Sequence, residues 1–138
     1  MSDLRDHYLR YIATLNTRRF GDLPSFVADE LTYNGAPLTG RQYRELIEDD
    51  VRRIPDLVFD VQHLIVGDDH VACRIRFECT PVEPFRGRRP TGARVLFTEH
   101  VFYRFHDDRI THVWSLLDVD ALRGQLPEPV DGLPGARS

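Results

Sequence analysis

The sequence predicts an α+β domain in which N-terminal helices pack on a strongly curved, mainly antiparallel sheet and enclose a pocket. Three observations carry this expectation. Before residue 55, apolar residues recur at helical spacing, as Leu4, Tyr8, Tyr11, Ile12, Leu15 and again as Tyr43, Leu46, Ile47, Val51, Ile54. After residue 56, runs of β-branched and aromatic residues alternate with polar ones at strand spacing. Short Gly- and Asp-containing turns join those runs into a meander of long strands, so helices and strands are segregated along the chain.

Taken in order, Ser2 or Asp3 can cap a first helix over residues 3–19. A short second helix over 22–27 has Pro24 in its first turn. Leu31 to Gly35 reads as a short strand ending in a turn. Thr39-Gly40 precedes a third helix, 41–53, ended by Pro55. Strands follow over 57–66 and 70–80. In the first, Phe59, Val61, His63 and Ile65 share a face; in the second, Val71, Cys73, Ile75, Phe77 and Cys79 do. Residues 81–92, rich in Pro, Gly and Arg, read as an exposed loop.

The stretch Leu96 to Asp118 is a hairpin turning at Asp107-Asp108, since Asp tolerates left-handed backbone. Phe97, Glu99, Val101, Tyr103 and Phe105 share one face; Leu96, Thr98, His100, Phe102 and Arg104 share the other. A regular hairpin sets Phe105 opposite Ile110, Tyr103 opposite His112 and Val101 opposite Trp114. A single bulge would exchange the faces of the second strand. Residues 119–125 make a closing helical turn or two. The chain is thus expected to form one domain over 1–126, followed by a flexible tail over 127–138 with almost nothing to bury.

The composition of the 138 residues sets bounds. A hydrophobic share of 41% and a charged share of 29% are those of a globular protein with a core. The net charge of −4, without a basic stripe, argues against nucleic acid as partner. No run approaches a membrane span, and the polar N-terminus lacks a signal-peptide pattern, so a cytoplasmic location is expected. All 18 basic residues are Arg, which rules out lysine Schiff-base chemistry. Cys73 and Cys79, six apart in one strand, stand about 20 Å from each other and cannot bridge. The six histidines show no metal-ligand spacing, and there is no phosphate-binding Gly-rich loop or nucleophile elbow. No metal and no cofactor is expected.

A set of short motifs in a fixed order resembles the SnoaL-like polyketide cyclases of the NTF2-like (cystatin-type cone) superfamily. They are Tyr33-Asn34-Gly35, Gly40-Arg41, Pro55-Asp56-Leu57, Val71-Ala72-Cys73-Arg74, Pro90-Thr91-Gly92, Tyr103-Arg104-Phe105, Asp107-Asp108-Arg109-Ile110, Trp114-Ser115-Leu116-Leu117-Asp118 and Gln125-Leu126. The resemblance spans roughly residues 3–126. It implies a cofactor-free cone, dimeric or tetrameric, that takes a small hydrophobic molecule. The cyclases close a ring by an intramolecular aldol reaction with one carboxylate as acid and base, and that position falls on Asp118. Isomerases, dehydratases and epoxide hydrolases share the cone. Arg10-Tyr11-Ile12 matches a first-helix motif of the isomerases. Their strand acid, however, falls on Val101, and their general base falls near Asn34-Gly35, where no carboxylate stands.

Candidate site residues follow. Asp118 is either a general acid/base in an apolar pocket, beside Trp114, or the N-cap of the closing helical turn. Glu99 is either a pocket carboxylate partnered by Arg74 or Arg76 of the neighbouring strand, or a member of an outward salt bridge. His100 points opposite to Glu99, so at most one of the two lines the pocket unless the strand is bulged; in the pocket His100 would be a catalytic hydrogen-bond donor or proton shuttle. Val101 and Tyr103 share the face of Glu99. Tyr11 is either core or a donor to an enolate oxygen, and Tyr33 and Asn34 either orient a carbonyl at the mouth or serve the turn. The competing functional class is a non-catalytic module binding a small ligand or a partner chain.

Overall fold

Side-chain caps fix where the helices begin. The Asp3 carboxylate accepts from the Arg5 N–H (3.0 Å) at the start of α1, Leu4–Asn16. Thr39 and Gln42 form a reciprocal capping box at the start of α2, Gly40–Arg53. The structure is a computed structural model that describes residues 3–128; the remainder of the expected tail, 129–138, lies outside the described residues. At Gly40 a Cβ would stand 2.7 Å from the Ala28 carbonyl oxygen, so only glycine lets α2 start against the neighbouring strand.

Six strands form one sheet: β1 Val27–Tyr33, β2 Ala36–Thr39, β3 Asp60–Val66, β4 His70–Cys79, β5 Val95–His106 and β6 Arg109–Leu117. Their order is β2-β1-β6-β5-β4-β3, antiparallel throughout except where β1 runs parallel to β6. A last helix, α3, covers Val119–Gln125. The expected helix over 22–27 is instead a 3₁₀ segment, Phe20–Ser25, and β1 begins four residues earlier than expected. β2 was not anticipated. It is a four-residue edge strand, where Pro37 can sit without breaking a ladder.

The alternation in β4 and β5 is as expected, with Val71, Cys73, Ile75, Phe77, Cys79, Phe97, Val101, Tyr103 and Phe105 buried in the core. Two bulges correct the regular registers. Gln62 is an extra residue in β3, so Val61 is followed inward by Leu64 rather than His63. Thr111 is an extra residue in β6: Phe105 faces Ile110 and Arg104 faces His112, after which Tyr103 faces Val113 and Val101 faces Ser115. Val113 and Ser115 thereby turn toward the concave face, and Trp114 and Leu116 turn out.

Side-chain amides extend the ladders at both ends. Asn16 donates to the Phe59 carbonyl (3.1 Å) and accepts from the Phe59 N–H (2.8 Å), standing in for a strand neighbour beside β3. Asn34 does the same for Ser115 at the β1–β2 turn, at 3.1 and 2.8 Å. The 81–92 loop is not the fully exposed segment expected. Phe85 is buried and packs on Phe97 (5.8 Å between ring centres), and Val82 N–H donates to Arg53 at the end of α2. The loop therefore folds back over the wide end of the cone.

Candidate functional site

Between α1, α2, the 81–92 loop and the concave face of β5 and β6 lies a cavity of about 200 Å³. Aromatic and aliphatic side chains make most of its wall. Its polar groups are few: Tyr11, Tyr33, Tyr43, Tyr103, Glu99, Asp49, Asp50 and Arg86. This is the composition of a small-molecule site. A wider groove of about 640 Å³ lies outside, between Pro24 and α2, and shares no residue with the cavity. Its charges are surface groups such as the Arg44–Glu48 pair (3.2 Å).

All five tyrosines of the chain gather here. The Tyr11 and Tyr43 hydroxyls lie 2.6 Å apart, and the Tyr8 hydroxyl behind them donates to that of Tyr103 (3.3 Å). Burial drives the phenols of Tyr8, Tyr11, Tyr43 and Tyr103 well above the ordinary tyrosine range. They are neutral hydroxyls, and in the Tyr11–Tyr43 pair one proton satisfies the pair while the other remains to be donated.

Glu99 sits mid-strand on the cavity wall, where Ser115 donates its hydroxyl to a Glu99 carboxyl oxygen. Burial pushes the Glu99 carboxyl above the usual glutamate range; the Ser115 hydrogen bond opposes the rise and the charge of Asp50 adds to it. Asp50, on the last full turn of α2, is also raised by burial, against the pull of Arg86 at 3.8 Å. Arg86 comes from the tip of the 81–92 loop. It occupies left-handed backbone (φ 49°) before Gly87 (φ 76°) and rests its guanidinium 5.0 Å from the centre of the Phe85 ring.

The structure separates the expected site residues into two groups. Glu99, Tyr11, Tyr33, Val101 and Tyr103 line the cavity. Asp118, His100, Arg74 and Trp114 do not, which corrects their expected placement. Asp118 is exposed and caps α3, accepting from the Ala121 N–H at 3.1 Å. His100 lies opposite Arg74 and Leu116 on the convex face, in a shallow depression that it shares with Asp118. Trp114 is 42% exposed on that face, stacked near His70 and His112. Asn34 is spent on the Ser115 backbone.

The expected Glu99 pairing with Arg74 or Arg76 fails because Glu99 faces Ile75 across the ladder, and both arginines flanking Ile75 point outward. Sequence reasoning missed Asp50 and the site role open to Tyr43, and it placed Arg86 on a solvated loop. Asp50 lies three residues after Ile47 and one before Val51, at the edge of the apolar stripe of α2; that spacing was the available signal. Burial pushes the Cys79 thiol up to about 12 and raises Cys73 as well, so both are neutral core thiols. Among the described residues no three His, Cys, Asp or Glu side chains are arranged to hold a metal, and no helix is long and apolar enough to cross a membrane.

A cone of helices on a curved sheet, with partly buried carboxyls and buried phenols on the wall of its cavity, is the architecture of a small-molecule site. The family model of the SnoaL-like polyketide cyclases matches residues 5–126, and the chain belongs to that family. A SnoaL-like polyketide cyclase of Agrobacterium tumefaciens is 40% identical, with a TM-score of 0.87 over 91% of this chain and 98% of that one. IdmH of Streptomyces antibioticus (20% identity, TM-score 0.79, 90% and 98% covered) and TsrD of Streptomyces laurentii (20%, 0.76, 88% and 90%) share the fold. No match was found among curated proteins.

Proposed function

We propose that the protein is a cofactor-independent acid/base enzyme acting on a small oxygenated, polyketide-like ketone, with an aldol-type ring closure as its reaction. The observation that carries this reading is Glu99: a partly buried carboxyl on the wall of a cavity that also presents neutral phenols, its affinity for its proton raised by burial. A carboxyl so placed can take a proton alpha to a carbonyl and return one to the new alkoxide. The Tyr11–Tyr43 pair (2.6 Å) supplies a donor for the enolate oxygen. The apolar wall folds the chain of the substrate into a reactive shape. Asp118, exposed and engaged as a cap, has no part in it.

The cavity volume bounds the substrate. At about 200 Å³ it is modestly larger than a benzene-sized cavity of ~150 Å³, which suits one or two rings rather than four. Dehydration or isomerisation of the same substrate class needs the same groups. We also propose a homodimer joined through the convex face, where Ile65, Ala72, Phe102 and Trp114 align across four strands and Leu116 is 74% exposed.

The test uses 2-tetralone, a neutral two-ring ketone, in deuterated buffer. Proton NMR should show exchange of its alpha protons above the buffer rate, inhibited by 2-naphthol. Binding of 2-naphthol without any exchange would overturn the enzyme reading in favour of a small-ligand binding module; neither binding nor exchange would remove both.

A further inference from the structure

Asp49 and Asp50 are adjacent on α2 and differ in what they do. Asp49 is fully employed: Arg53 donates to one of its oxygens at 2.9 Å and Arg52 to the other. The Asp50 side chain makes no hydrogen bond within the described residues, although it is partly buried on the cavity wall. Its nearest cation, Arg86, stands at 3.8 Å, beyond hydrogen-bond distance. No cap, turn or ladder depends on it.

Arg86 is equally hard to explain as structure. Phe85 and Arg88 exchange backbone hydrogen bonds (3.0 and 2.9 Å), so Arg86-Gly87 is a two-residue turn with both residues left-handed. Asn or Gly suits the first of these positions; arginine there is strained. The turn nonetheless brings Arg86, the only cationic side chain among the described residues of the cavity wall, to 3.8 Å from Asp50. Strain held at such a place marks a functional position.

We infer that the site works with two carboxyls rather than one: Asp50 is the catalytic proton acceptor, with Arg86 as its counter-ion, and Glu99 is the proton donor. This rests on the acid/base reading above and divides its labour. In ring closure the Asp50 carboxylate takes the alpha proton. The C–H electron pair moves into the carbonyl, whose oxygen becomes an enolate stabilised by hydrogen bonds from the phenols and from the Glu99 carboxyl. The enolate carbon then forms the new C–C bond at a second carbonyl, whose π pair becomes an alkoxide. The alkoxide takes the Glu99 proton. Asp50 has gained one proton and Glu99 lost one, and transfer between them through solvent at the mouth restores the start.

Two carboxyls in one cavity separate their protonation through opposite surroundings. Asp50 faces Arg86 from the loop, Arg53 and Asp49 on its own helix, and Tyr33 and Glu99 from the sheet. Glu99 has the Ser115 hydroxyl and lies deeper in the wall, with Arg86 a lesser influence. The Arg86 charge opposes the effect of burial on Asp50, whereas the Asp50 charge adds to it on Glu99, which assigns the acceptor role to Asp50 and the donor role to Glu99.

The test follows exchange of 2-tetralone alpha protons between pH 5 and 9 in wild type, Asp50→Asn, Glu99→Gln and Arg86→Gln. Asp50→Asn should lose about 100-fold or more in exchange while 2-naphthol binding changes by less than about twofold. Glu99→Gln, which keeps a donor, should lose about 10-fold. Arg86→Gln removes the counter-ion, so the acid limb of its pH profile should move to higher pH. Exchange at the wild-type rate in Asp50→Asn would overturn the inference, as would loss of 2-naphthol binding in that variant. If Asp50→Asn does not fold, an unmoved acid limb in Arg86→Gln overturns it. Either result leaves the acid/base reading in place when Glu99→Gln is impaired; a wild-type protein that exchanges nothing removes that reading itself.

Discussion

The two faces of β5 and β6 are built from alternate residues of the same strands, yet they are chemically opposed. Toward the cone point Glu99, Val101, Tyr103, Val113 and Ser115, in an interior where burial raises the Glu99 carboxyl and the Tyr103 phenol. Outward point His100, Phe102, Trp114 and Leu116, where stacked rings and bare aliphatic groups meet solvent. One inserted residue, Thr111, decides which half of β6 belongs to which face. The difference teaches that catalytic candidacy in this fold is a matter of register before it is a matter of residue type: Asp118 and Glu99 are both carboxylic acids, and only Glu99 is in the cavity.

The sharpest contrast in stability should come from neighbours on β4. Ile75 is fully buried and Arg74 points outward. Ile75→Ala should cost roughly 3 kcal/mol, whereas Arg74→Ala should stay within about 0.5 kcal/mol; urea unfolding of the two variants measures both. Comparable losses would mean the faces are misassigned.

The outer face is tested next by Phe102→Glu. A charge in the middle of the apolar row should weaken self-association by about 100-fold or more, read by sedimentation against concentration. An unchanged assembly state, or a wild type that is monomeric at every concentration, contradicts the dimer.

Glu99 should leave a signature in the pH dependence of stability. Its folded affinity for a proton is raised, so its stabilising contribution is complete below the ordinary glutamate range and fades as pH rises through the folded value. Glu99→Gln cannot ionise. Its melting temperature should overtake that of wild type as pH goes from 5 to 8, by roughly 4 °C at the upper end, the equivalent of ~1 kcal/mol. A constant offset across that range would contradict a buried, raised carboxyl. Asp118→Ala removes one cap bond from α3 and should lower stability by about 1 kcal/mol in urea unfolding.

Much of this arrangement is legible in the sequence. Strict alternation places Glu99, Val101 and Tyr103 on one face and His100 on the other, and the helical spacing of Tyr8, Tyr11 and Leu15 sets α1 on the concave side. What lies beyond Thr111 is not legible, because a bulge is chosen by packing: burying Val113 and Ser115 in place of Trp114 suits a narrow cone, and no local propensity announces it. The convergence of Asp50, Arg86 and Glu99 is a tertiary fact, joining an α2 turn, a loop tip and a mid-strand residue. Phe85 is the reason the loop tip arrives there, and a single Phe in a Pro/Gly/Arg-rich segment carries little signal by itself.

The most direct measurement compares Glu99→Gln with Asp118→Asn in the 2-tetralone exchange reaction at neutral pH. The expected result is a loss of about 10-fold or more for Glu99→Gln and a rate equal to wild type for Asp118→Asn. The reverse, an impaired Asp118→Asn beside an unimpaired Glu99→Gln, would place the chemistry outside the cone and contradict the account.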